Sequence, residues 1–294
     1  MIASTHDKLV QTQNFLTSRR LVERLLAAST IGPSDIVYDI GAGTGIITEC
    51  LARRCRHVVA VEKDPRLLPG LRRRCGQSPH VTLQWVDALS LPLPRTPYKV
   101  FASIPFNITA EIIAKLTILS SAPEDAYLVV QREAANRFMG LPREQLVALL
   151  LKPWFELTVC HHFRATDFTP PPSVETVMMR LHKRGPPLIP PAQTQAYRDF
   201  AVYAFTSRHP VLHTTLRPLF SGQQLKKACR ATAFSLDAPP SALRFEQWLE
   251  LFHQFMAVAA AESLPLIHGA EQRLKRQQDH LRKSRRTRRA ALPP

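Results

Sequence analysis

Ser103-Ile104-Pro105-Phe106 is the segment of this chain best equipped for chemistry. It ends an apolar run, Lys99-Val100-Phe101-Ala102, that reads as a buried parallel strand, and it precedes a helix-like stretch starting near Asn107. A hydroxyl, a proline and an aromatic at the carboxyl end of such a strand suit work on the exocyclic amine of a flat base. The hydroxyl can accept a hydrogen bond from the amine. Proline fixes φ near about −65° and removes a competing backbone donor. The aromatic offers a stacking face worth roughly 1–3 kcal/mol per base. Ordinary strand-to-helix turns also use Ser and Pro for their geometry, so the tetrapeptide alone leaves both readings open.

A second constellation lies upstream. Ile36-Val37-Tyr38-Asp39-Ile40 is a β-rich run, followed at once by Gly41-Ala42-Gly43-Thr44-Gly45 and then by an amphipathic helix pattern (Ile46, Ile47, Cys50, Leu51). Glycines there permit a tight turn and close approach of a ligand to the backbone. The next apolar run, His57 to Val61, ends in Glu62, 21 residues after Gly41. A carboxylate so placed, at the tip of the second strand, can hold two ribose hydroxyls. A nicotinamide dinucleotide is the natural competitor, but its fingerprint wants glycines at the first, third and sixth positions. Here the sixth is Ile46. That side chain suits a ligand without a pyrophosphate, such as S-adenosylmethionine; a purely structural turn is the remaining alternative. A third run, Val81 to Val86, ends in Asp87, which could accept from an adenine amine or simply cap a turn.

In this order the motifs resemble the rRNA adenine-N6 methyltransferases, which include the macrolide-resistance (Erm) enzymes and the small-subunit adenine dimethyltransferases. The similarity runs from about Gln13 to Arg180 and, more weakly, through the C-terminal part. Gln13-Asn14-Phe15-Leu16 is similar to the family's N-terminal motif, whose Asn and Leu line the donor site. By resemblance, Asn14, Leu16, Gly41, Gly43, Glu62, Asp87 and Ser103 bind S-adenosylmethionine. Ser103, Ile104 and Phe106 form the catalytic loop. Phe168, in Phe168-Thr169-Pro170-Pro171-Pro172-Ser173-Val174, joins Phe106 in clamping the target base; read alone it would be a satellite core residue. Most relatives carry Asn where this chain has Ser103, and Phe106 stands where many have Tyr. Gly-Ala-Gly-Thr-Gly and the Ile-Pro-Phe ending are closer to the resistance branch. The resemblance therefore implies methylation of N6 of one adenine in the peptidyl-transferase loop of 23S rRNA, where macrolides, lincosamides and type B streptogramins bind. Small-subunit (16S) methylation, a non-enzymatic RNA-binding or transcription factor, and a DNA adenine methylase are the rival readings.

Charge agrees with a nucleic-acid partner. Lys+Arg 39 against Asp+Glu 23 gives a formal net charge of +16 and a pI near 10.3, a field that attracts a polyanion irrespective of sequence. Glu271 to Ala290 concentrates it, with seven Arg and two Lys against one Glu and one Asp, a net of +7. With only Leu274 and Leu281 as large apolar residues, this segment reads as a flexible basic arm, a helix formed on RNA, or a solvated tail. Five Cys without a Cys-x-x-Cys pair support neither disulfide framework nor zinc site, and His161-His162 reads as a strand-end surface pair. No metal is expected. No run of about 18 apolar residues suggests a membrane span, and no signal pattern opens the chain. A cytoplasmic monomer acting on 23S rRNA, free or in precursor particles, is the expectation.

These residues need an α/β scaffold: a Rossmann-like S-adenosylmethionine-dependent methyltransferase sheet over residues 1–184, with a smaller all-α C-terminal domain (193–262) and a basic flexible tail (263–294). Strands alternate with helices through Asp125-Val130, which favours a parallel sheet covered on both faces. Phe155-Phe163 and Val174-Leu181 lie too close for a helical crossover and should pair antiparallel at the edge. Gly185-Pro186-Pro187 to Pro190-Pro191 marks the boundary. Four or five short helices should follow, for example with Phe245, Trp248, Leu249 and Phe252 at helical spacing and the aromatics Phe245, Trp248 and Phe252 in the core.

Overall fold

Strands built from unbroken aliphatic runs must be covered on both faces, and a parallel sheet flanked by helices does this. The computed structural model describes residues 14–209, 211–235, 237–258 and 260–290. Gln13 and residues 291–294 lie outside the described residues. Nine strands are described: β1 (Phe15–Leu16), β2 (Ile36–Ile40), β3 (His57–Glu62), β4 (Val81–Trp85), β5 (Lys99–Ser103), β6 (Asp125–Gln131), β7 (Phe155–His162), β8 (Phe168–Thr169) and β9 (Thr176–Lys183). Seven form one sheet in the order β4-β3-β2-β5-β6-β9-β7. The first five are parallel, whereas β9 runs antiparallel to β6 and β7 antiparallel to β9. The expected antiparallel pair is therefore present, with the later strand inserted next to β6 and the earlier one at the edge. β1 and β8 form a separate two-stranded ribbon.

The chain divides into two units. The first holds residues up to Asn136 together with Phe155–Gly185. Its helix α1 (Arg19–Ala27) starts at Ser18, whose hydroxyl accepts from the Leu21 amide, satisfying an N-terminal donor. Leu21, Val22, Leu25 and Leu26 of α1 bury against Val37, Val58, Phe101 and Tyr127, together with Ile47, Cys50 and Leu51 of α2 (Ile46–Ala52). On the other side Val59 and Val61 pack with Leu91. α3 (Leu68–Cys75) follows β3, and α4 (Thr109–Leu116) follows β5 through a 3-10 turn at Phe106–Ile108.

The second unit comprises Arg137–Trp154 and the chain from Pro186 onward. The second unit resumes at Pro186, and it also takes in residues 137–154, which the sequence reading leaves within 1–184: α6 (Leu146–Leu149) and the loops around it group with the C-terminal helices rather than with the sheet. Tyr197 illustrates why, its hydroxyl donating to the Leu149 carbonyl at 3.0 Å. α5 (Arg132–Met139) carries the chain from β6 to this segment. The remaining helices are α7 (Thr194–Phe205), α8 (Leu212–Leu216), α9 (Gly222–Thr232), α10 (Phe245–Val258), α11 (Ala260–Ile267) and α12 (Ala270–Ala290). Phe200 of α7 meets Trp248, Phe252 and Phe255 of α10 in tilted and edge-to-face contacts, the geometry aromatic quadrupoles prefer. The aromatics Phe245, Trp248 and Phe252 are buried as expected, and Leu251 and Phe255 join them in the core. Where the sequence leaves a flexible arm or a helix formed on RNA, the chain forms two helices, Ala260–Ile267 and Ala270–Ala290, parted by a turn at Gly269; Gln, Arg, Lys and Ala all favour helix. No described helix is long and apolar enough to cross a membrane.

One buried group gives the first unit a pH signature. Asp39 of β2 is fully buried; Thr48 donates to its Oδ2 at 2.5 Å, and its Oδ1 has no partner among the described residues. Burial, helped by the charge of Glu62 and only partly offset by Thr48, pushes its carboxyl up from 3.8 to about 7. The folded state then keeps a proton that the unfolded chain releases, so stability falls as pH rises from about 4 to about 7 and levels off above. Urea denaturation of wild type at pH 5 and pH 8 should differ by roughly 2–3 kcal/mol more than for Asp39→Asn, at ~1.4 kcal/mol per pKa unit. Identical pH dependences for the two proteins would refute this assignment.

Candidate active site

In an open parallel sheet, ligands bind beyond the carboxyl ends of the strands where the strand order reverses. Here that point lies between β2 and β5: the chain winds outward through β3 and β4, then returns to β5 on the other side of β2. The turn after β2 and the loop after β5 are therefore neighbours, although Gly41 and Ser103 stand 62 residues apart. They touch. A Cβ on Gly41 would lie 3.1 Å from the Ser103 carbonyl oxygen, and Gly41 has φ +79°, a conformation glycine adopts at little cost.

The loop and the turn frame a cleft of roughly 900 Å³ of open space. Asn14, Leu16, Gly41, Glu62, Asp87, Ser103, Ile104, Phe106 and Phe168 all line it. Gly43 is not among the lining residues, and its place is structural: φ is +55°, and a Cβ would meet the Phe15 ring at 2.8 Å. The turn is held by Glu62, which is 5% exposed. Its Oε2 accepts from the Gly43 amide at 2.8 Å, and its Oε1 accepts from the Lys63 and Asp64 amides at 2.9 and 2.8 Å. A carboxylate has about four acceptor sites. Three are taken, which leaves one for a guest hydroxyl while Gly43 holds Oε2, rather than the two expected from sequence.

Asp87 caps the turn that follows it and also lines the cleft. Its Oδ1 accepts from the Leu89 amide at 2.9 Å and Lys63 Nζ reaches Oδ2 at 3.4 Å, yet it stays on the cleft wall. Asn14 lines the cleft, while its side-chain amide donates to the Pro170 carbonyl at 2.7 Å. That bond and the β1–β8 ribbon, Phe15 opposite Thr169 and Leu16 opposite Phe168, bind the N-terminal motif to the proline-rich one. Phe106 is half-buried and faces the cleft. Ser103 Oγ has no hydrogen-bond partner among the described residues, so it is available to a guest. Phe168 differs from expectation: it is 3% exposed and packs edge-on to Phe163 at 5.2 Å, a buried wall rather than an open stacking face.

Sequence reading missed Phe15, Thr44, Lys63, Val86, Ala88, Ile108 and Val129 as lining residues. Phe15, Thr44, Lys63, Val86 and Ala88 adjoin or lie within a motif, Ile108 follows the Phe106 turn, and Val129 pairs with Ser103 across β5 and β6, so proximity to the motifs was the usable signal. The lining fits an adenosyl sulfonium: carboxylates at two strand tips, a backbone cradle that side chains would fill, and apolar walls for a purine. Among the described residues no group of three or more His, Cys, Asp and Glu is placed to hold a metal.

Comparison with known proteins agrees with this geometry. The chain is 31% identical over 250 residues to an rRNA adenine N-6-methyltransferase of Streptomyces fradiae, covering 84% of this chain and 78% of the relative. It is 30% identical over 258 residues to ribosomal RNA small subunit methyltransferase A of Synechococcus elongatus, covering 81% and 91%. The crystal structure of the 23S rRNA methyltransferase ErmE matches with a TM-score of 0.77 at 28% identity, over 83% of this chain and all of that one. A family model, ribosomal RNA adenine dimethylase, matches residues 6–256. With the donor cleft formed at the β2–β5 switch point, the chain belongs to the ribosomal RNA adenine dimethylase family, whose methyl donor is S-adenosylmethionine.

Proposed function

We propose that this protein methylates N6 of one adenine in the peptidyl-transferase loop of 23S rRNA, and so confers resistance to macrolide, lincosamide and streptogramin B antibiotics. The carrying observation is the convergence of the glycine turn, two strand-tip carboxylates and the Ser103–Phe106 loop on one cleft. Large-subunit specificity is supported by the similarity to the 23S enzyme ErmE and by the Gly-Ala-Gly-Thr-Gly and Ile-Pro-Phe sequences. Small-subunit methylation is the second reading, favoured by the Synechococcus relative.

S-adenosylmethionine, when bound, supplies an electrophilic methyl group on a sulfonium sulfur. The amine of adenine is a poor nucleophile because its lone pair is delocalised into the ring. Ser103 Oγ and the Ile104 carbonyl accept from the amine protons and favour positive charge building on nitrogen, which is stabilisation aimed at the transition state. Phe106 stacks on the everted base, with Phe168 as the wall behind it. Unstacking the base costs a few kcal/mol, least in a loop. Orienting the base nitrogen toward the methyl group supplies the rest. Glu62 and Asp87 hold ribose and adenine.

Incubation with labelled donor and protein-free 23S or 16S rRNA, followed by mapping of the modified base, separates the two readings. Label confined to 16S rRNA would overturn the first. Ser103→Ala should lower the single-turnover rate on the order of 100-fold; an undiminished rate would remove the hydroxyl from the scheme. Glu62→Gln must turn an amide nitrogen toward a backbone donor. It should weaken donor binding in calorimetry about 10–100-fold, as loss of a charged hydrogen bond implies.

A further inference from the structure

The net positive charge of residues 271–290 is unused by the cleft, and the structure gives it a foundation. Within the second unit, α12 starts on a built joint. Asp199 of α7, 2% exposed, accepts from the Gly269 and Glu271 amides at 3.0 and 2.9 Å through its two oxygens. Two of the helix's orphan donors are thereby satisfied by a negative charge at its positive end. Glu271, 5% exposed, takes a two-pronged bond from Arg198 (Nε at 2.9 Å, Nη2 at 2.6 Å) and another from Lys275 at 2.7 Å. Burial would raise the Glu271 carboxyl, but these cations outweigh it and hold it down to about 2. Arg198 is fixed in turn, lying over the Trp154 ring and donating to the Leu150 carbonyl.

Past Glu271 the burial stops. From Gln272 to His280 only Leu274 is even half-buried. Beyond them the sequence carries Arg282, Lys283, Arg285, Arg286, Arg288 and Arg289. In the sequence, positions 282, 285, 286 and 289 recur at i,i+3 and i,i+4, spacings at which like charges on a helix repel one another. With Leu281 as the one large apolar residue of 281–290, the sequence offers no apolar stripe with which to pack on protein or enter a membrane. What α12 lacks is an anion field on the scale of its own length, about 31 Å for 21 residues.

We propose that α12 is a docking arm for double-stranded RNA, held out from α7 by the Asp199–Glu271 joint and recognising phosphate rails rather than bases. A base everted from a loop is flanked by paired strands, and A-form duplexes are bound through phosphates and shape. The inference rests on the reading that rRNA is the substrate, and it assigns the arm to the stem beside the target loop.

The test uses full-length protein and two variants, with Arg282, Arg285, Arg286, Arg288 and Arg289 all changed to Gln or all changed to Lys. Binding to a generic RNA duplex and to a 23S stem-loop transcript is followed by anisotropy between 50 and 200 mM salt, conditions over which phosphate contacts dominate affinity. The Gln variant should bind both RNAs about 10–100-fold more weakly, with the log–log salt slope flattened by about 3. The Lys variant should recover wild-type affinity within about three-fold, because it restores charge. Donor binding should be equal in all three. RNA affinity and slope unchanged in the Gln variant would overturn the proposal, as would binding to anionic vesicles without binding to duplex. Failure of the target reading looks different: wild type would bind the duplex through its arm yet leave the 23S transcript unmethylated.

Discussion

Everything around the cleft depends on how one carboxylate is satisfied. Glu62 is nearly buried, and a buried charge is tolerated only when hydrogen-bonded. Its three backbone partners are the turn that follows its own strand and the turn that follows the neighbouring one. The charge therefore fastens the glycine turn to the tip of β3. Parallel pairing of β2 with β3 sets the reach, and the left-handed glycines let the amides point inward. Because the turn is fixed, Gly41 can rest against the Ser103 carbonyl and the two halves of the chemistry share one opening.

The same charge is felt below. Asp39, on the strand that leads into the turn, keeps its proton toward neutrality through its burial and, in smaller part, through the proximity of the Glu62 carboxylate. Two buried acids thus lie close together, Glu62 bonded to three backbone amides and Asp39 to the Thr48 hydroxyl. Sheet and site are not separable designs here.

Much of this was legible in the residues. Period and composition located every strand of the main sheet, since unbroken aliphatic runs between helix patterns admit few other readings. Glycine at 41 and 43 and acids at the ends of runs marked the donor side. Three things were not legible. The burial of Phe168 depends on Phe163 and Leu16, contacts that no local pattern encodes. The return of residues 137–154 to the helical unit is a tertiary matter, since four helical residues at Leu146–Leu149 leave little periodicity to read. The helix at 270–290 was hidden by its charge, which masks high helix propensity and a cap supplied by Asp199 from 70 residues away.

The β1–β8 ribbon joins Leu16 to Phe168, a closure across 152 residues of chain. Contacts so distant in sequence form only after the intervening loop entropy has been met. On the ribosome, a growing chain that has not yet released Phe168 has no completed wall for the cleft. Translation order therefore makes this wall a late addition: it can form only once residue 168 of 294 has emerged.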